Sequence, residues 1–204
     1  DFFELLMSKR IKFDDKLIRT FFQQLINGLE FLHSNGVAHM DIKMENLAIG
    51  ENYELKIIDF GLSYKIGDER ILSQGTRHYR APEIINKHCN CPEKADIYAA
   101  GIVLFLFKSG GVLPHIEGST CQGFDMYELL QNDPDHFWQK HTEIQKKPES
   151  YWDKSFKELF QMMTREDPSS RASIESIKRN AWFNEEIYTA EEIAEIMSDY
   201  CNKT

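Results

Sequence analysis

Four residues in the first part of the chain have side chains suited to handling a highly charged group: Asp41, Lys43, Asn46 and Asp59. They stand in His39-Met40-Asp41-Ile42-Lys43-Met44-Glu45-Asn46 and in Asp59-Phe60-Gly61, with the second aspartate 18 positions after the first. Moving a phosphoryl group asks little covalent work of a protein. It needs a hydroxyl held in line, metal ions bridging phosphate oxygens, and positive charge beside the group in transit. Two carboxylates, an amide and a lysine meet those needs if loops bring them together at the mouth of a cleft. The plainer alternative is a satisfied polar loop between a helix and a hairpin.

The elements that must position these residues are legible on either side. Asp14 or Asp15 can cap a helix, with Phe13 placed as a hydrophobic staple. Leu17, Ile18, Phe21, Phe22, Leu25, Ile26, Leu29 and Leu32 then recur on one broad apolar face, and Gly36 is a stop. Leu47 to Ile49 and Leu55 to Ile58 read as a small β-hairpin around Gly50-Glu51-Asn52-Tyr53-Glu54. Past Gly61 a polar stretch without periodicity runs to Arg80 and reads as a functional loop. Lys94 to Phe107 is apolar nearly all round, as in a central buried helix. Further helices are expected over Asp153 to Thr164, Ala172 to Asn180, and Ala190 to Tyr200, the last acidic and amphipathic.

A net charge of −9 argues against a general nucleic-acid binder, which needs basic surface to neutralise phosphate. No apolar run spans a bilayer; the segment around Ala99 to Phe107 is too short and ends in Lys108. Asp1-Phe2-Phe3-Glu4 lacks the basic start of a signal peptide and opens abruptly, as a cut fragment would. Cys89 and Cys91 have no second close pair after them, so with Cys121 and Cys201 they read as reduced thiols of a cytoplasmic or nuclear protein.

The first chemical stretch resembles the catalytic loop of eukaryotic-type protein kinases, H-R-D-x-K-x-x-N with Met for Arg, and the second their D-F-G motif. A lone D-F-G is weak, but a catalytic loop at this distance ahead of it is specific. Gly75-Thr76-Arg77-His78-Tyr79-Arg80-Ala81-Pro82-Glu83 resembles the G-T-x-x-Y-x-A-P-E segment that docks peptide. Asp96-Ile97-Tyr98-Ala99-Ala100-Gly101 matches the D-x-W-x-x-G opening of the family's central helix, with Tyr for Trp. The resemblance runs from near Asp14 to about Phe183 and is closest to the calmodulin-dependent and AMP-activated group.

Carried over by position, the resemblance implies that Asp41 accepts or orients the substrate hydroxyl proton and Lys43 neutralises charge on the γ-phosphate. Asn46 and Asp59 would hold Mg²⁺, and Thr76 would reach Asp41 and Lys43. Lysine two places after the aspartate, together with this threonine, marks the serine/threonine class. ATP would contact Lys43, Glu45, Asn46, Ala48 and Asp59, with Ala48 at the adenine floor. Glu45 also lies where some relatives meet a basic residue of the substrate. Asp96 is expected to accept hydrogen bonds from the catalytic-loop backbone. Arg171 is expected to pair, buried, with Glu83, so that losing one partner costs roughly 3–5 kcal/mol.

Two departures shape the expectation. Met40 replaces the arginine that in the family binds a phosphorylated activation-loop residue, and the usual phosphorylated position is Leu72, with Ser73 one place late. Activity is therefore expected to be independent of that phosphorylation. Full-length protein should be equally active before and after phosphatase treatment, and a large loss would refute this. Nothing in the chain matches the Gly-rich phosphate loop or the strand lysine and its glutamate partner. The resemblance places those in a β-rich lobe preceding Asp1.

The expected fold is mainly α, a kinase-like C-terminal lobe over residues 1–183 with a small β-hairpin at the catalytic loop. The N-terminal β-rich lobe is absent from this chain, and an acidic helix follows over 184–204. The expected function is an ATP- and Mg²⁺-dependent serine/threonine kinase acting on protein hydroxyls, with no nucleic-acid or membrane partner and little activity as a lone lobe. The alternatives are a pseudokinase or scaffold and a short interaction module.

Overall fold

The computed structural model describes residues 1–68, 75–86, 89–116 and 118–201, with side chains through Ser198. The described chain is mainly helical, with two small antiparallel sheets. In order, α1 (Phe2–Ser8) and α2 (Asp15–Ser34) lead to β1 (Val37–Ala38), β2 (Leu47–Ile49), β3 (Leu55–Ile57) and β4 (Tyr64–Lys65). Then come α3 (Pro82–Ile85), α4 (Pro92–Ser109), α5 (Met126–Asn132), α6 (Pro134–Gln145), α7 (Lys154–Met163), α8 (Ile174–Lys178) and α9 (Ala190–Cys201).

α2 starts where the sequence places its cap: the Asp14 carboxylate accepts from Leu17 N at 2.8 Å, satisfying one orphan donor of the first turn. Its apolar face, Leu17 to Leu29, is buried, and Gly36 follows with a φ of 73°. Phe13 packs against the core, its ring stacking on Phe107 of α4, 5.9 Å between centroids.

α4 is the axis of the fold. It is buried from Ala95 to Lys108, which its nearly unbroken apolar run requires, and packs against α2 and α7. Gly101 allows the α7 contact: a Cβ there would lie 3.0 Å from Thr164 Cγ2 and 3.2 Å from Met163 Cβ. On its far side Phe105 meets Phe137, Trp138, Trp152 and Phe160 at 5.0–6.1 Å between centroids. His141 of α6 closes on the same ring at 4.7 Å and meets the Pro114 carbonyl at 2.9 Å.

The hairpin pairs Leu47 with Ile57, Ala48 with Lys56 and Ile49 with Leu55. A second two-stranded sheet, β1 with β4, is invisible to periodicity because each strand is two residues long. α9 lies on α2. Its Ile193 and Met197 are buried, Tyr188 Oη donates to Asp14 at 2.9 Å, and Lys16 and Arg19 pair with Glu186 and Glu185. No described helix is long and apolar enough to cross a membrane.

Candidate active site

α4 fixes the loop that carries the chemistry. Asp96, at the start of that helix and almost fully buried, accepts from His39 N and Met40 N, both at 2.8 Å, and contacts His33 Nε2 at 2.9 Å. A buried carboxylate needs such donors to offset desolvation. His39 ties the loop to the hairpin: its Nε2 meets the Ile58 carbonyl at 2.9 Å and its Nδ1 accepts from Asp41 N at 3.3 Å. That network requires the proton on Nε2. Sequence reasoning quoted His39 and passed over His33; only their spacing to Asp41 and Asp96 in three dimensions reveals their work.

Asp41 is 7% exposed and sits at the centre of a closed set of bonds. Oδ1 accepts from Thr76 N at 2.9 Å and Thr76 Oγ1 at 2.8 Å. Oδ2 accepts from Asn46 Nδ2 at 3.1 Å and lies 2.8 Å from Lys43 Nζ, which also donates to Thr76 Oγ1 at 2.9 Å. Burial works to raise the Asp41 pKa, but Lys43 and Thr76 together outweigh it and hold the carboxyl below its usual range. Asn46 Nδ2 donates to the Asp41 carbonyl as well, at 2.9 Å. With its nitrogen so engaged, the amide oxygen is the group left to meet a cation.

Asp59 reaches the same place through the hairpin. Ile58 N donates to the Asn46 carbonyl at 2.9 Å, continuing the β2–β3 ladder to the position before Asp59. Asp59 itself is exposed, adopts a φ of 61°, and accepts from Gly61 N at 3.2 Å. Met40, beside Asp41, has a φ of 66° and is buried. Positive φ at two non-glycine residues is strained backbone, kept only where the surroundings over-determine it.

Gly75 is a second residue that motif reading left without a role. Its φ is 97°, and a Cβ there would lie 2.9 Å from the Met40 carbonyl. Only glycine lets Thr76 come this close to Asp41.

The docking segment is pinned from below. Arg171 holds Glu83 through Nη1 at 2.5 Å and Nη2 at 2.8 Å, both side chains being buried, and donates further to the carbonyls of Lys94, Arg165 and Glu166. The expected ion pair is present, and every donor direction of the guanidinium near it is used. Glu45 is exposed, with its carboxylate beside the Tyr79 hydroxyl, whose pKa is raised by burial and then by that charge. Ala48 is half-buried on β2. The structure therefore brings Asp41, Lys43, Asn46 and Thr76 into one network, places Asp59 directly after Ile58, whose amide bonds the Asn46 carbonyl, and leaves Ala48 and Glu45 outside the hydrogen bonds made to Asp41. Leu72 and Ser73 lie outside the described residues.

The family model for the protein kinase domain matches residues 1–183. The chain belongs to the eukaryotic protein kinase family. Among curated proteins it is similar to CBL-interacting protein kinase 26 of Oryza sativa subsp. japonica, 35% identical over 177 residues, covering 84% of this chain and 33% of that protein. It is similar also to CBL-interacting serine/threonine-protein kinase 20 of Arabidopsis thaliana, 34% identical over 177 residues, with 84% and 37% covered. CBL-interacting protein kinase 10 of rice is 31% identical over 201 residues, with 96% and 39% covered. The chain thus spans 33–39% of the length of these kinases. They lie on the calmodulin-dependent side of the kinase family, as the sequence suggests.

Proposed function

We propose that this chain is the substrate-binding, catalytic lobe of an ATP-dependent serine/threonine protein kinase. One observation carries the reading: a single carboxylate, Asp41, gathers Lys43, Thr76 and Asn46 within 3.1 Å. A scaffold has no use for strained backbone and a buried charge cluster maintained at that one point.

Bound carboxylate can accept about four hydrogen bonds, and Asp41 already has four donors. A substrate hydroxyl must therefore replace one of them. Lys43 is the flexible member, and its Nζ has three hydrogens, two of them engaged with Asp41 and Thr76. When Lys43 turns to a phosphoryl oxygen it frees Oδ2 for the hydroxyl, so phosphate recognition and acceptor recognition are linked through one side chain. The low pKa makes Asp41 a weak base that stays ionised at neutral pH. That suffices, because in a loose transition state the acceptor proton leaves late and the carboxylate chiefly orients it.

The residues fit a Mg²⁺ ion. An exposed carboxylate and an amide oxygen are hard oxygen donors, and no described cluster of three or more His, Cys, Asp or Glu side chains could hold a metal alone. Magnesium commonly takes one or two protein oxygens and completes its shell with water and phosphate. Asn46 and Asp59 would hold it, and it would supply charge neutralisation on the phosphates. Ala48 on the hairpin would floor the adenine, and Glu45 would face a basic substrate residue.

In full-length protein, Asp41→Asn should lower kcat on a serine peptide by about 10²–10⁴-fold. The measurement is made at a temperature where the variant is still folded, because its amide also disturbs the bonds to Thr76 and Asn46. Unchanged kcat would refute the assignment. No activity in the wild type with Mg²⁺ and ATP would turn the reading toward a scaffold.

A further inference from the structure

A cavity of about 210 Å³ opens beside the docking segment and is not used by the chemistry above. We propose that it is a specificity pocket that takes the carboxylate side chain of an acidic substrate residue close to the phosphoacceptor. The inference rests on the kinase reading and adds the class of substrate.

Place and size come first. Arg77 and Arg80 line the cavity, and Arg77 directly follows Thr76, whose amide and hydroxyl bind Asp41. An extended substrate advances about 3.3 Å per residue, so a residue one to three positions from the acceptor reaches the opening. The volume is below the roughly 300–1,000 Å³ of small-molecule sites and suits a single side chain.

The walls then specify its chemistry. Each guanidinium presents its N–H groups in a planar fork whose geometry matches a carboxylate. Tyr127 and His115 line the cavity too, and Tyr127 Oη and His115 Nδ1 are buried without a hydrogen-bond partner among the described residues, so an occupant meets them as these side chains turn toward it. Burial, then the charge of Glu166, keeps the Tyr127 hydroxyl protonated and available as a donor. Burial pushes His115 down to about 4, so its ring is neutral at physiological pH. Its Nε2 lies 3.0 Å from Tyr98 Oη. With Tyr98 donating there, the imidazole proton sits on Nδ1 and completes a set of donors. A buried pair of this kind is costly unpaired, and an apolar occupant would leave it so.

Asp125 and Glu166 also line the cavity. Asp125 is engaged in capping α5, accepting from Tyr127 N at 2.9 Å and Glu128 N at 3.2 Å. Two carboxylates against two guanidiniums leave the wall near neutral, which suits one singly charged carboxylate better than a doubly charged phosphate.

The test uses full-length protein and serine peptides carrying Glu, Ala or Leu at each of three positions on either side of the serine. Both phosphorylation and binding by fluorescence anisotropy are read. At one position Glu should raise kcat/KM about tenfold over Ala and Leu and tighten binding to a similar degree. Tyr127→Phe and Arg80→Met should each cut that Glu/Ala ratio to about threefold or less. A ratio near one at every position overturns the pocket, as does a ratio that survives both variants. If no peptide is phosphorylated the kinase reading fails, and the binding ratio still decides the pocket.

Discussion

The catalytic face and the aromatic core hold their shapes by opposite means. Around Phe105, five rings from α4, α6, α7 and the turn between them meet at many angles and share the load. No single contact there is indispensable, because burial energy is non-directional and scales with area. The catalytic loop and docking segment instead depend on a few buried charges, Asp41, Asp96, Glu83 and Arg171, each with named partners. Removing one partner there leaves another charge stranded. Precision is bought at the site with fragility, while the core is tolerant.

The sharpest break of that contrast is Arg171→Ala. It should cost about 3–5 kcal/mol in urea unfolding, because Glu83 is left charged and buried. A loss under about 1 kcal/mol would mean the two regions are not held differently.

Acid sharpens the contrast from the core side. Burial pushes His141 down to about 4, its bond to the Pro114 carbonyl opposing the shift, and His115 likewise to about 4 against the charge of Asp125. The folded forms resist a proton that the unfolded chain binds near 6.5. This stability is fully present above pH 6.5 and is lost as pH falls from 6.5 toward 4, by up to about 3 kcal/mol per histidine. The lowered Asp41 pKa acts in the same direction, but only below the ordinary carboxylate range, outside that window. Melting temperature followed from pH 7 to 4.5 should fall steadily; a flat profile would count against buried neutral histidines.

The smallest effect is expected for Phe137→Leu in the ring cluster. Unfolding should register about 1–2 kcal/mol, with peptide phosphorylation by the full-length protein retained. A loss matching that of Arg171→Ala would erase the distinction.

The site was largely readable because its residues are rare chemical types at short, fixed spacing. Thr76 meets Asp41 and Lys43 as the resemblance implied, whereas the bond from Asn46 to Asp41 was not foreseen. The helices α2, α4, α7, α8 and α9 were readable from caps and periodicity, with ends moved by a residue or two. α1 and α5, seven residues each, offered too few turns for a period to emerge. α6 hid its inward face among Phe137, Trp138 and His141, a mix that does not alternate cleanly. The positive φ at Met40 and the demand for glycine at 75 are tertiary facts, set by Asp96 below and by the Met40 carbonyl.

The β2–β3 register has a consequence for how such a chain tolerates length change. One residue added within either arm, Leu47 to Ile49 or Leu55 to Ile57, would break the register that sets Ile58 opposite Asn46 and so displace Asp59, which follows Ile58. A residue added at the tip, around Glu51 to Tyr53, would change only the loop. The hairpin thus serves as a ruler: variation in length should be recorded at its tip and silent along its arms.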